Sequence, residues 1–235
     1  MSRPATPGLL ARALPLAFAA ALGAAAQAQV PPTGAEVAAY AGAHAAAARG
    51  DAAGIAVLAK GGADLHARDR YRRTPLHVAA YRAQREAMRA LAKAGADANA
   101  LEHDRYDIVT IAAVADDVAT LQVALEIGCS AKNVTSRYEG TALIAAAHLG
   151  HDEVVRVLIR AGAPLDHVNN LGWTALIESI VLGNGGARHT ATLKALVGAG
   201  ADVNLADRNG RRPLALARER GYREMAAILA AAGAR

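Results

Sequence analysis

The sequence predicts an all-α repeat solenoid of about six stacked units, and three observations carry the prediction. First, a glycine followed by a small residue returns at Gly62-Ala63, Gly95-Ala96, Gly128-Cys129, Gly162-Ala163, Gly200-Ala201 and Gly233-Ala234, in steps of 33, 33, 34, 38 and 33 residues. Second, a helix-start signal recurs in the same register: Thr74-Pro75, Thr141, Thr174 and Arg212-Pro213. A threonine caps a helix N-terminus, and proline suits its first position, where no backbone N–H is needed. Third, Val154, Val155, Leu158 and Ile159 place apolar residues at helical spacing ahead of the glycine pair, so each unit buries its face on a neighbour.

The units follow one another from residue 36. The first, 36–68, is degenerate, with Ala41-Gly42-Ala43-His44 where the second unit has Thr74-Pro75-Leu76-His77, and it reads as a cap. The second spans 69–101. The third, 102–134, is the least regular of the interior units and begins its helix at Asp107-Ile108-Val109-Thr110. The fourth and fifth, 135–168 and 169–206, keep the threonine of the helix start and lose its proline and histidine. The last, 207–235, carries Arg218, Glu219 and Arg220 near a helix end, which suits an outer unit facing water.

Arg73-Thr74-Pro75-Leu76-His77-Val78-Ala79-Ala80 and Ala94-Gly95-Ala96-Asp97-Ala98-Asn99-Ala100 resemble the opening and closing motifs of the ankyrin repeat. Gly150 to Ile159 is the best match to that family's second helix, and the resemblance covers residues 36–235. It implies helix-turn-helix units joined by β-hairpin tips, non-enzymatic protein binding, and structural roles for the histidines. His77 and His44 would tie repeats together, and His151 would serve the turn between helices.

Residues 1–28 are of another kind. Arg3 and Arg12 precede the apolar run Ala13 to Leu22, and Ala26-Gln27-Ala28 follows. That is the basic, apolar, small-x-small order of a secretory signal peptide cleaved before Gln29. Residues 29–35 read as a short linker. The run is short and interrupted by Pro15, which disfavours a membrane span of about 20 residues. A periplasmic location follows from this reading, with secretion as the alternative. Removing two arginines and no acid from a chain of net charge +5 leaves about +3, a weak balance with no dense basic run, so nucleic acid is a poor partner. Similarity to bacterial exported ankyrin proteins extends the expectation to peroxide defence alongside a catalase. An effector binding host proteins is the second reading, and a small-ligand or peptide binder using a pocket near Glu178 the third.

Cys129 is the one cysteine, so no internal disulfide exists, and its place in a Gly-Ala pair predicts a small buried residue. His148 and His151 lack the further ligand spacing of a metal site, and Gly183-Asn184-Gly185-Gly186 lacks the Lys-Ser/Thr of a phosphate loop. Catalytic residues, cofactor and metal are therefore all expected to be none. Asn133-Val134-Thr135 fits a glycosylation sequon by chance.

The aromatics sit where a partner would meet them. The alignment puts Tyr71 and Tyr138 at hairpin tips, Tyr106 and Trp173 just before first helices, and Tyr81 at a helix end. They are accompanied by Arg70, Arg72, Arg73, Arg82, Arg105 and Arg137. Tyr, Trp and Arg carry interface energy most often, so these eleven residues form the expected contact face of a monomer. The fifth unit is five residues longer than 33, with the excess at Asn184 to Arg188, and its Glu178 stands where Val78 does in the second. Glu178 is expected either to pair with Arg188 or His189 and lock the longer loop, or to line a polar pocket beneath Trp173.

Overall fold

A computed structural model describes residues 29–235. The signal-peptide segment, 1–28, lies outside the described residues. Thirteen helices and one two-stranded hairpin are formed among them. After α1 (Gly34–Ala39) come six helix pairs: α2 (Gly42–Arg49) with α3 (Ala52–Lys60), α4 (Pro75–Tyr81) with α5 (Arg85–Lys93), and α6 (Ile108–Val114) with α7 (Val118–Glu126). These are followed by α8 (Ala142–Leu149) with α9 (Asp152–Arg160), α10 (Ala175–Val181) with α11 (Ala187–Gly198), and α12 (Pro213–Glu219) with α13 (Arg223–Ala231). First helices stack on first helices and second on second, from α2 against α4 to α10 against α12. The core is one continuous run of small and branched apolar side chains between them, from Ile55 through Leu91, Leu121, Leu158 and Leu196 to Leu229.

The capping residues act as the sequence implies. Thr74, Thr141 and Thr174 accept from the third backbone N–H of their helices, Asp107 does the same for α6, and Pro75 and Pro213 open α4 and α12. The glycine-small period has a single cause. After α9, Gly162 takes φ +77°, its N–H bonds the Ile159 carbonyl at 3.0 Å, and the Ala163 N–H bonds the Leu158 carbonyl at 3.0 Å. This double bond pattern closes a helix C-terminus only when the glycine position is left-handed. The residue after it turns into the stack, and Ala96, Cys129, Ala163 and Ala201 are all buried, so it must be small. Burial holds the Cys129 thiol well above its ordinary range.

Histidines tie the units together. His77 donates from Nε2 to the Ala100 carbonyl (3.0 Å) and accepts at Nδ1 from the Thr74 hydroxyl (2.8 Å), which requires the neutral ring. Burial agrees, lowering its pKa to about 4. His44 reaches the Arg73 carbonyl and His151 the Ala113 carbonyl, each at 2.9 Å and each in an adjacent unit.

The N-terminal residues depart from expectation. The stretch read as linker, 29–35, is tied to the stack: Gln29 Nε2 donates to the Ile111 carbonyl at 3.1 Å, and Thr33 caps α1 through a reciprocal pair with Glu36. Arg73 anchors it. Its guanidinium is fully buried, bonding Asp69 at 2.7 Å, Glu36 at 2.8 Å and the Val30 carbonyl at 2.9 Å, and lying 4.7 Å from the Tyr71 ring centre. A buried charge needs this many partners to offset its lost hydration.

Candidate functional site

Each unit from the second onward is entered through a tight turn whose fourth residue is left-handed: Arg72, Arg105, Glu139, Gly172 and Gly210. The N–H of that residue bonds the carbonyl three positions earlier, at 2.9 to 3.3 Å. Successive tips are joined by backbone bonds, His103 N–H to the Tyr71 carbonyl, Ser136 N–H to the Arg105 carbonyl and Asn170 N–H to the Tyr138 carbonyl, so the tips form one continuous ridge. Where the third unit passes into the fourth it includes the paired strands β1 (Val134–Thr135) and β2 (Gly140–Thr141). A left-handed conformation costs a residue with a Cβ roughly 1–2 kcal/mol, so Arg72 and Arg105 hold their exposed side chains on the ridge at an energetic disadvantage.

The expected contact residues separate into three groups. Arg72, Arg105, Arg137 and Tyr138 are exposed along the ridge, and Arg70 is exposed beside it in a bond to Glu36 at 3.0 Å. Arg137 is partly engaged, 2.6 Å from Asp104 and 3.1 Å from His103. Tyr71, Tyr81 and Trp173 are half-buried, Tyr71 between the guanidinium groups of Arg70 and Arg73 and Trp173 against the core. Arg73 and Tyr106 are buried, so they support the ridge from beneath rather than meeting a partner. Arg82 is exposed but lies beyond the far end of α4, where it bonds the Ala48 carbonyl of the preceding unit at 2.8 Å.

Behind the ridge, the tips and first helices of the third to fifth units form a groove open to solvent. Tyr106, Thr135 and Tyr138 form its ridge side. Val114, Ile144, Leu149, Leu171 and Leu182 make its walls, and His148, Asn169 and Glu178 are among its polar lining. Glu178 lines this groove, but Arg188, His189 and Trp173, the neighbours expected for it, do not. Arg188 turns away to Asp116 at 2.8 Å and Asp152 at 3.4 Å, His189 bonds the His148 carbonyl at 2.9 Å, and Trp173 is absent from the lining. The partners of Glu178 are Asn169, whose amide donates to Oε1 at 2.7 Å, and His148, whose Nδ1 is 3.7 Å from Oε2. Burial raises the Glu178 carboxyl to about 8 against the pull of the Asn169 bond. Burial, then the nearby His189 and His151, lower His148 to about 4. At neutral pH the pair is thus a protonated acid beside a neutral imidazole.

The roles of Asn169 and His148 were missed by sequence reasoning. Asn169 stands at the tip position occupied by Asp69, Glu102 and Asp207 in other units, and its Oδ1 accepts the Leu171 and Trp173 N–H groups as Asp69 accepts those of Tyr71 and Arg73. An amide there retains the turn and leaves an N–H₂ to meet Glu178, a signal visible in the sequence as a paired departure at positions 169 and 178. Among the described residues no cluster of three or more His, Cys, Asp or Glu side chains could hold a metal, and no helix is long and apolar enough to cross a membrane. The sequon asparagine is engaged, with Asn133 Nδ2 bonding Asp107 at 2.8 Å, and Thr135 is buried.

A family model for ankyrin repeats in three copies matches residues 16–102 and 109–207, starting within the predicted signal segment. The chain belongs to the ankyrin repeat family. Such repeats are protein–protein interaction modules. The ankyrin repeat protein YahD of Escherichia coli K12 is 38% identical over 125 residues, covering 53% of this chain and 62% of that relative's length. Among solved structures, an ankyrin repeat domain from Acinetobacter baumannii AYE is 43% identical with a TM-score of 0.77, covering 82% of this chain and 98% of that one. The ankyrin repeat domain of Bcl-3, of the IkappaB family, is 26% identical with a TM-score of 0.74, over 83% of this chain and 87% of that one.

Proposed function

We propose that this ankyrin scaffold is exported to the periplasm and there holds a protein partner along the ridge and groove of its third to fifth units, without chemistry of its own. The observation that supports the site is Arg105. It is exposed, held left-handed where the fifth and sixth units have glycine, and set beside Arg137 and Tyr138 at the rim of the groove. A residue kept at an energetic disadvantage on a surface points to use of that surface. Export rests on the order of residues 1–28, and a link to catalase-dependent peroxide defence rests on resemblance alone. Capture from periplasmic extract tests the whole reading, using the wild type and an Arg105→Ala, Tyr138→Ala double variant. The expected result is a partner retained by the wild type and lost by the variant with its melt unchanged. Equal recovery by both removes the ridge from the site. An intact Met1-containing protein confined to the cytoplasm removes export.

A further inference from the structure

The groove has an unusual charge balance for its shape. Its lining holds one acid, Glu178, and no lysine or arginine. Of the arginines flanking it, Arg137 is engaged with Asp104 and Arg188 with Asp116 and Asp152, while Arg105, exposed on the ridge, lies outside the lining. The acid sits among aliphatic walls, and its Oε2 makes no hydrogen bond among the described residues, His148 Nδ1 lying beyond bonding range at 3.7 Å. An aliphatic slot ending in a carboxyl with no basic partner of its own matches a long apolar stem with a cationic head.

We propose that the groove takes a basic side chain from an extended segment of the bound partner, its stem against Ile144, Leu149, Leu171 and Leu182 and its cationic head on Glu178 Oε2. This deepens the scaffold reading and rests on it. Asn169 keeps Oε1 occupied and so turns Oε2 toward the incoming group. The titratable groups around Glu178 are His148 on α8, His189 of α11 behind it, and Tyr106 and Tyr138 on the ridge side; α12, packed on α10, adds none to the lining. Burial keeps His148 neutral in the empty groove, and His189 is turned to the His148 carbonyl at 2.9 Å. An arriving cation favours the carboxylate, so the acid gives its proton to solvent and the side chain replaces it as the neutralising charge.

The test uses a blocked five-residue peptide with one arginine among alanines, its citrulline counterpart, which keeps the shape and drops the charge, and agmatine as a free cation. Titration calorimetry of the full chain in two buffers of different ionisation enthalpy reads affinity and proton release together. We expect the arginine peptide to bind with a proton released at pH 7, and citrulline to bind roughly tenfold or more weakly, as for loss of a charged hydrogen bond. Affinity for the arginine peptide should fall about tenfold per pH unit below about 8. Glu178→Gln, which keeps the Asn169 bond, should lose both the preference and the proton. Ala145→Leu, which fills the slot from α8, should weaken both peptides while Glu178 stays in place.

Equal binding of arginine and citrulline, no binding of either, or a preference surviving in Glu178→Gln overturns the proposal. Agmatine binding as tightly as the peptide overturns the partner segment as occupant. Because the probes need no natural partner, loss of the subsite with partner capture intact leaves the scaffold reading standing, and the converse leaves the subsite without its scaffold role.

Discussion

Glu178 is the residue at which protonation and stability meet. Its pKa rises from an ordinary 4.5 to about 8 on folding. The folded protein therefore holds a proton that the unfolded chain releases between those values. Stability from this group is fully present below pH 4.5 and is lost as pH rises through about 8. Glu178→Gln should remove that slope and raise stability at pH 8 by a few kcal/mol, on the order expected for a shift of several pKa units. Denaturant melts from pH 5 to 8 check this, and a slope unchanged in the variant would place the acid in a better-hydrated site. Position 178 was legible as an odd carboxylate from the repeat alignment. Its partners were not: Asn169, at the entrance of the same unit, reaches back across the turn to Glu178, and His148 approaches only when the fourth and fifth units stack. Arg105 gives the second residue-scale test. Arg105→Gly relieves roughly 1–2 kcal/mol of left-handed strain and loses roughly 0.5–1 kcal/mol to the freer unfolded chain, for a net gain of about 0.5–1 kcal/mol. If its side chain meets the partner, the melt should rise while capture falls; a gain in both assays would make the arginine incidental.

At the scale of elements, the helix starts and the glycine-small period were readable because both are local devices: a cap reaches three residues and the closing turn six. The mirror of the Arg105 experiment tests the period's cause. Gly162→Ala meets only the Lys132 side chain, at 3.8 Å, so space is available and the φ of +77° is the whole obstacle. The alanine should lower stability by about 0.5–1 kcal/mol, the left-handed penalty less the entropy it removes from the unfolded chain. An unchanged melt would mean the turn relaxes freely. The tie of residues 29–33 to the stack was not legible, since it depends on Arg73, which looks like any exposed hairpin arginine until Glu36, Asp69 and the Val30 carbonyl surround it. The same blindness placed Tyr106 on the surface. An aromatic before a helix start projects outward or inward according to the next hairpin, and the period does not record which.

For the whole molecule, the stack makes stability a chain of neighbour contacts, and this decides what a truncation does. Removing residues 207–235 takes away α12 and α13, which cover α10 and α11 with Leu214, Leu216, Ala217, Met225 and Leu229. The apolar area newly exposed on the fifth unit weakens that unit directly, at about 25 cal/mol per Å². The removed helices pack chiefly on α10 and α11 rather than on the units before α8. Nearest-neighbour coupling therefore predicts a gradient: amide exchange should quicken most in α10 and α11, less in α8 and α9, and little in α4 to α7. The groove makes the gradient functionally visible, because its walls come from the third to fifth units and Glu178 stands on α10. Truncation should weaken the arginine peptide while the ridge tips at Arg72 and Arg105 keep their order. Exchange quickening uniformly along the chain would instead show a single cooperative block, in which the contacts between units are too strong for any one of them to open alone.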